Sequence, residues 1–329
     1  MKAKILKLLK ESGNDFLSGE KICEELGVSR AAIWKHIKVI KEEGYEIEAI
    51  SRKGYRIISS PDILTFEEIK DFLSTKYIGK NIIYYDSIGS TNSIAKKLAE
   101  SGEKHGTVII SEEQTMGRGR LGRSWISPKY KGIWMSIILR PNVVTENISQ
   151  ITLIGAAAVQ KAIMKMGIKT SIKWPNDIVL NSRKVCGILT EMSGEIDHIN
   201  YLVMGIGINV NLEIEDIPQE LKNVATSLKI EKNEYMDRKL LIANVLNNFE
   251  QLYIDFAQSG NISETIEICR ENSMLIGKEI QLINRGKVTK AKAIDISDSG
   301  ELIIENYQGA LEYIVSGEVS IMGIYGYNE

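Results

Sequence analysis

Cysteine is scarce, with 3 in 329 residues, at positions 23, 186 and 269. The three are far apart, odd in number and without metal spacing. That excludes a disulfide framework and a cysteine-based metal site, and fits thiols kept free in a reducing cytoplasm. Long apolar runs are missing as well: no stretch reaches the ~18–20 residues needed to cross a bilayer. The opening "MKAKILKLLKESGNDF" alternates Lys with Ile and Leu, then turns acidic without a small-residue cleavage site. It predicts an amphipathic helix rather than a signal peptide, and a cytoplasmic location without membrane contact. Net charge is almost absent, −2 from 41 Lys/Arg and 43 Asp/Glu, but it is unevenly spread. Residues 1–60 carry 12 basic against 9 acidic residues, and the remainder 29 against 34. A mildly basic module on a mildly acidic body points to nucleic acid at one end. What is present is ordinary for a soluble chain, 43% hydrophobic and 26% charged, and long enough for two or three domains.

Within residues 1–60, Ser18 and Ser29 each precede apolar residues at helical spacing. Ile22 and Leu26 follow the first; Ile33, Ile37 and Ile40 follow the second. Gly27 separates them, which predicts a helix-turn-helix. From Leu26 to Lys41 there is no acidic residue, while Arg30, Lys35, Lys38 and Lys41 fall off the isoleucine face beside Trp34 and His36. Such a helix suits a major groove, where cations meet phosphates and N-terminal side chains meet base edges. "YEIEAI" and "GYRII" alternate in period two around "SRK", predicting a hairpin with a basic tip. The arrangement is a winged helix, and its candidate DNA contacts are Ser29, Arg30, Trp34, Lys35, Lys38, Arg52 and Lys53. A charged helix pair that packs on the body is the alternative; the acid-free helix and the basic hairpin together favour DNA. "SSPDILT" reads as a linker.

From Thr65 helical and strand signals alternate. Thr65 caps "FEEIKDFL", "NIIYYDSI" is a strand, Ser93 to Glu100 a helix, and "GTVIISEEQT" and "GIWMSIILRP" are strands. Ile148 to Met166 is a long apolar helix. "TSIKWPNDIVLNSRKVCGILTEM" gives two strands around Asn181–Ser182, "NYLVMGIGINVN" another, and residues 237–258 a helix. The class is α+β with a mixed sheet. After about residue 272, short strands and Gly turns follow without helix, as in a small SH3-like barrel. The expected domains are therefore 1–60, 61–271 and 272–329.

"MGRGRLGRSW" (116–125) contains G-x-G-x-x-G, the dinucleotide fingerprint. That motif needs a strand before it, a helix after it and a carboxylate about 20 residues on. The strand is there, but "SWISPKYKGIW" is not helical and "ILRPN" offers no carboxylate. The Rossmann reading fails. Arg118, Arg120 and Arg123 instead place three permanent cations on a glycine-rich backbone able to close over an anion. A solvated basic loop is the alternative, and three other stretches weigh against it: "STN" (90–92) at a strand end, "KWPNDI" (173–178), and "KVCGILTE" (184–191).

These stretches, with "QTMGRGRLGRSW" (114–125) and "GIGINVN" (205–211), resemble in order and spacing the biotin–protein ligase family, in its bifunctional ligase and operon-repressor form. The likeness extends over winged helix, catalytic domain and C-terminal barrel. Cys186 and Thr190 depart from it mildly, standing where small or aliphatic residues are usual. The resemblance implies that biotin and ATP with Mg²⁺ form biotinyl-5′-AMP, and that biotin then passes to a lysine of a biotin carboxyl carrier protein. It implies Arg118, Arg120, Lys184 and Asp177 as catalytic. It implies Ser90, Thr91, Asn92, Gln114, Gly117, Arg118, Gly119, Arg120, Trp125, Lys184 and Gly187 around biotin. Arg120, Arg123, Lys173, Asn176 and Asn209 fall to ATP, Lys173 alternatively supporting the turn; Asp177 is the Mg²⁺ or lysine-orienting carboxylate. Leu212–Ser227 becomes a second ordering loop, over adenine. The adenylate-bound form is expected to be a homodimer on palindromic operator DNA. A ligand-responsive regulator with little ligase activity and a lipoate-type ligase are the competing readings.

Overall fold

The computed structural model describes residues 1–142, 148–195, 198–284, 287–315 and 317–321. The chain forms two compact units, Met1–Ile63 and Leu64–Glu329. Residues 322–329 of the expected C-terminal barrel lie outside the described residues.

The first unit contains α1 (Lys2–Glu11), α2 (Gly19–Leu26), α3 (Arg30–Glu42), β1 (Glu46–Ile50) and β2 (Gly54–Ser59). Both serine caps form: Ser18 Oγ accepts from Lys21 N at 3.1 Å, and Ser29 Oγ from Ala32 N at 3.3 Å. Gly27 ends α2 in the left-handed region, where glycine carries no Cβ penalty. Ile5, Leu9, Ile22, Ile33, Ile37 and Ile40 make the core, so the isoleucine period of α3 does face inward. β1 and β2 pair antiparallel, and Leu17 exchanges both backbone hydrogen bonds with Tyr55 at 2.9 Å. Gly54 permits that contact, since a Cβ there would stand 2.0 Å from Leu17 O.

The second unit opens with α4 (Phe66–Ile69), β3 (Ile82–Tyr85), α5 (Thr91–Glu100), β4 (Val108–Ser111) and β5 (Gly132–Leu139). It continues through α6 (Ile148–Lys165), β6 (Ser171–Lys173), β7 (Asp177–Leu180), β8 (Arg183–Glu195) and β9 (His198–Asn209). Then follow α7 (Leu228–Lys232), α8 (Arg238–Ser259) and α9 (Ser263–Glu271). Three local expectations shift. "FEEIKDFL" is a four-residue helix and a 3₁₀ turn, and Thr65 makes no side-chain cap. α5 begins at Thr91 rather than Ser93, because Gln114 Oε1, from the loop after β4, accepts the Thr91 N–H at 2.8 Å. "TSIKWPNDIVLN…TEM" makes three strands instead of two, the turn at Trp174–Asn176 separating β6 from β7.

The strands form one seven-stranded sheet in the order β3-β4-β5-β9-β8-β7-β6. Only β3 and β4 run parallel, joined by the α5 crossover. α6 and α8 cover one face and build the main core, while α5 covers part of the other through Ala95, Ala99, Ile109, Ile138 and Val203. The last strands, β10 (Glu279–Asn284), β11 (Lys287–Ile296), β12 (Leu302–Asn306), β13 (Leu311–Ile314) and β14 (Glu318–Ile321), form a five-stranded antiparallel sheet in the order β13-β12-β11-β10-β14. Its Ile280, Ala293, Leu302 and Ile304 belong to the same core as α6 and α9. Burial is thus continuous across residue 272, and the last sheet shares one compact unit with the large one.

Candidate functional site

A cavity of about 640 Å³ opens on the α5 side of the large sheet. The alternation of β9 makes it. Tyr201 and Val203 point to the face that α5 covers, and two residues further on, in the same period, come Gly205 and Gly207. Their missing side chains leave a trough into which neighbours lean. A Cβ on Gly205 would lie 2.2 Å from Asn92 Oδ1, and one on Gly207 would lie 2.6 Å from Trp125 Nε1. Gly187 on β8 plays the same part, a Cβ there meeting Lys184 at 2.9 Å and the Trp125 ring at 3.0 Å. Trp125 stands edge-on to buried Trp134, ring centroids 6.5 Å apart. Gly207→Ala is therefore expected to displace the Trp125 wall at an overpacking cost of about 1–3 kcal/mol, roughly 5- to 150-fold in ligand Kd, read by calorimetry with biotin.

The arginine loop is a narrow hairpin. Trp125 N donates to Gly117 O at 2.9 Å, Gly119 N to Arg123 O at 2.7 Å, and Arg123 N to Arg120 O at 3.2 Å. Its glycines have different tasks. Gly117 lets the two sides approach, a Cβ there falling 2.3 Å from Trp125 O; Gly122 supplies φ +75° beside Leu121 at φ +55° in the tip. Gly119 has ordinary room around it. A 3₁₀ turn of three residues at Arg120–Gly122, and no α-helix, follows the glycines before β5. Arg118, Gly119, Arg120, Arg123 and Trp125 line the cavity; Gly117 does not.

One end of the cavity is a closed polar network. Thr91 Oγ1 donates to Gln114 Oε1 at 3.0 Å, and Gln114 Nε2 to Ser127 Oγ at 2.9 Å. Ser136 Oγ lies 2.8 Å from Thr91 Oγ1 and 2.6 Å from Asn92 Oδ1. Asn92 Nδ2 donates to Glu191 Oε2 at 2.8 Å, and Lys96 Nζ to Glu191 Oε1 at 2.7 Å. Burial pushes the Glu191 carboxyl up, but the Lys96 and Asn92 hydrogen bonds and the Lys96 and Arg118 charges outweigh it and hold the group below the usual range. Ser136, Ser127, Glu191, Gly205 and Gly207 were not singled out from sequence as site residues. Only the glycines left a signal there, their period-two spacing in "MGIGIN".

The other end carries the charge. Lys184 Nζ is 2.7 Å from Asp177 Oδ1 and 5.3 Å from the Trp125 ring centroid. Asn176 Nδ2 donates to Asp177 Oδ1 at 2.9 Å, and Arg120 Nη1 to Asn176 Oδ1 at 2.5 Å. Arg120 Nη2 also reaches Gly317 O at 3.4 Å, so the C-terminal sheet closes this end together with Ile283 and Val319. Lys173 is buried opposite Asp177 in the β6–β7 pairing. Asn209 Nδ2 donates to Thr226 O at 2.9 Å, and Lys184 is clasped by the 212–227 loop, its N donating to Val224 O at 2.8 Å and its O accepting from Thr226 N at 3.0 Å. Burial pushes the Cys186 thiol up beside this group, which makes it inert. Among the described residues no cluster of three His, Cys, Asp or Glu side chains could hold a metal ion, and no helix is long and apolar enough to cross a membrane.

In the first unit Arg30, Trp34, Lys35, Lys38, Arg52 and Lys53 are exposed, Trp34 by 58%. Ser29 is occupied as the α3 cap. Lys41 is exposed too, and His36 is half-buried.

Three family models match the chain: HTH domain over residues 2–56, Biotin/lipoate A/B protein ligase family over 84–209, and Biotin protein ligase C terminal domain over 275–322. The chain is 41% identical to the bifunctional ligase/repressor BirA of Bacillus subtilis over 319 residues, 96% of this chain and 97% of that protein. It is 29% identical to the bifunctional ligase/repressor BirA of Escherichia coli over 320 residues, 97% and 96% of the two chains. Among solved structures it is similar to the biotin protein ligase from Aquifex aeolicus in complex with biotin and ATP, with a TM-score of 0.65 and 32% identity over 74% of this chain and 98% of that one. With one relative matched over nearly its whole length and the ligase and helix-turn-helix models both present, the chain belongs to the bifunctional biotin ligase/repressor family.

Proposed function

We propose that the protein joins biotin to ATP as biotinyl-5′-AMP, passes biotin to a lysine of a biotin carboxyl carrier protein, and represses transcription as an adenylate-bound homodimer on operator DNA. One observation carries the reading: a single cavity is lined at one end by the hydroxyls and amides of Ser90, Thr91, Asn92 and Gln114, and at the other by the string Lys184–Asp177–Asn176–Arg120. An apolar tryptophan wall lies between them. That asymmetry suits a ligand with an uncharged polar ring, an apolar chain and an anionic tip.

In the first step a biotin carboxylate oxygen bonds to the α-phosphorus of ATP, and the bond from that phosphorus to the bridging oxygen breaks to release pyrophosphate. Two anions must meet, so cations matter more than an enzyme nucleophile. Lys184, Arg118 and Arg120 are assigned to that role. Thr91, Asn92, Gln114, Ser90 and the backbone near Arg118 hold the ureido ring, with Gly187 and Gly119 leaving room and Gly117 shaping the loop. Arg123, Lys173, Asn176 and Asn209 belong to the nucleotide end. In the second step the carrier amine adds to the acyl carbon, AMP leaves and the amine proton passes to solvent. The donors fit Mg²⁺ only as a companion of ATP, with Asp177 as the carboxylate assigned to it; when bound it would supply charge neutralisation on the phosphates.

The order of the last sheet, with its fifth strand paired to its first, supports an SH3-like barrel over 272–329 beside a catalytic domain over 61–271 and a winged helix over 1–60. Adenylate that favours the dimer must in return be held more tightly by it, which couples repression to biotin supply. The substrates and the free thiols suit the cytoplasm.

Incubation with ATP, an acceptor carrier domain and either biotin or lipoate separates the readings: biotin label on the carrier supports this one, lipoate label a lipoate-type ligase, and none a regulator without ligase activity. For the DNA arm, Lys35→Ala with Lys38→Ala in the full chain is expected to weaken operator binding and lower the salt slope of log K by about 2 while biotinylation is retained. Unchanged DNA retention in a gel shift would contradict the assignment.

A further inference from the structure

Behind the charged end of the cavity, Glu231 on α7 forms a junction that the chemistry above does not use. Its side chain is only 7% exposed. Oε1 accepts from Arg183 Nη2 at 2.5 Å and from Thr226 Oγ1 at 2.6 Å, and Oε2 accepts from Asn181 Nδ2 at 2.5 Å. One carboxylate therefore ties three segments. Asn181 belongs to the β7–β8 turn, where Asn181 and Ser182 both have positive φ. Arg183 immediately precedes Lys184. Thr226 is fully buried in the 212–227 loop, with its N–H on Lys184 O and its carbonyl on Asn209 Nδ2. Lys184 and Asn209 both line the cavity, and Glu231 does not.

We propose that Glu231 is a positioning residue for the nucleotide half of the site, acting through Thr226 on Lys184 and Asn209. The proposal rests on the reading that ATP occupies this half. The carboxylate touches neither the cavity nor the polar cluster around Thr91 and Gln114, so its influence is selective. Without it the Thr226 hydroxyl is buried without this acceptor and the turn before Lys184 loses its tether. The loop then slides against β8, and the two nucleotide-facing groups move with it, while the biotin end stays in place. Ionised, the carboxylate accepts all three bonds at once; an amide in its place keeps one accepting oxygen and loses the other.

Steady-state ATP–pyrophosphate exchange on the full chain tests this, with biotin affinity and melting temperature measured on the same samples. Glu231→Ala is expected to raise KM for ATP about 10-fold and, through the displaced Lys184, to lower kcat as well, with biotin Kd changed less than about twofold. Glu231→Gln should recover part of the loss. Thr226→Val, which removes only the hydroxyl, should reproduce most of it, and the double variant should add little to either single change because both cut one link. If Glu231→Ala does not fold, Thr226→Val alone decides. An unchanged KM for ATP, an equal loss of biotin affinity, or additive effects in the double variant would overturn the proposal. Absence of exchange in the unmodified protein is a different result, one that strikes the ligase reading itself.

Discussion

Replacing Lys184 with glutamine is expected to lower kcat/KM for adenylate formation by about 10²–10³-fold, the usual effect of losing one preorganised donor to developing charge. The ammonium is held from two sides, by Asp177 at 2.7 Å and by the Trp125 ring, so it waits in position instead of sweeping solvent. Its backbone is also clasped by Val224 and Thr226. Glutamine keeps a donor but is one bond shorter and loses the charge, and it leaves Asp177 without this cation, facing incoming anions. Both effects oppose the meeting of biotin carboxylate with α-phosphate. The change should fall on kcat/KM for adenylation and spare the winged helix, so operator binding without ligand serves as the internal control. Rates within threefold of the parent would remove Lys184 from the mechanism.

Arg238→Met is expected to destabilise the second unit by about 3–5 kcal/mol, because it leaves a buried carboxylate without its counter-ion. Arg238 and Glu112 are both fully buried, 2.8 Å apart at the nearest N and O. The guanidinium also donates to Gly132 O at 2.8 Å, and Glu112 Oε1 accepts from Leu64 N at 2.8 Å. Burial, then the Glu112 charge, pushes the Tyr84 hydroxyl up, so this phenol stays protonated next to the pair. The pair joins the start of α8, the start of β5 and the strand end that runs into Gln114. Removing both charges in Glu112→Leu with Arg238→Met should recover much of the loss, though not all, since the Leu64 N–H keeps no acceptor there, at a cost of about 1–3 kcal/mol. Urea midpoints of the three variants give the answer. A single-variant loss below about 1 kcal/mol would show that the site relaxes around the bare carboxylate.

Local features were legible in the sequence and distant ones were not. Ser18 and Ser29 announce helix starts because a cap is settled within four residues, and both form as read. The isoleucine period of α3 and the Arg52–Lys53 wing tip are equally local. Ser90 shows the limit: it precedes α5 like a cap, yet Gln114 from the loop after β4 takes that role, and the helix begins two residues earlier than the residue pattern indicates. The Rossmann reading could be rejected from context alone, but the separate tasks of Gly117 and Gly122 emerge only once the hairpin is folded. Ser136 and Glu191 join the polar cluster from β5 and β8, and Gly317 meets Arg120 across 197 positions. No spacing rule reaches that far. Glu231 was invisible for the same reason, since its three partners lie between 5 and 50 residues away.

The joining of a biotin carboxylate to an ATP α-phosphate in one cavity is the step on which the residue assignments above depend. It is tested most directly by isotope exchange between ATP and labelled pyrophosphate in the full-length protein, with and without biotin, and with lipoate in its place. Exchange that requires biotin, ignores lipoate and falls about 10²–10³-fold in Lys184→Gln is the expected result. Exchange that proceeds without biotin, or none with it, would contradict it.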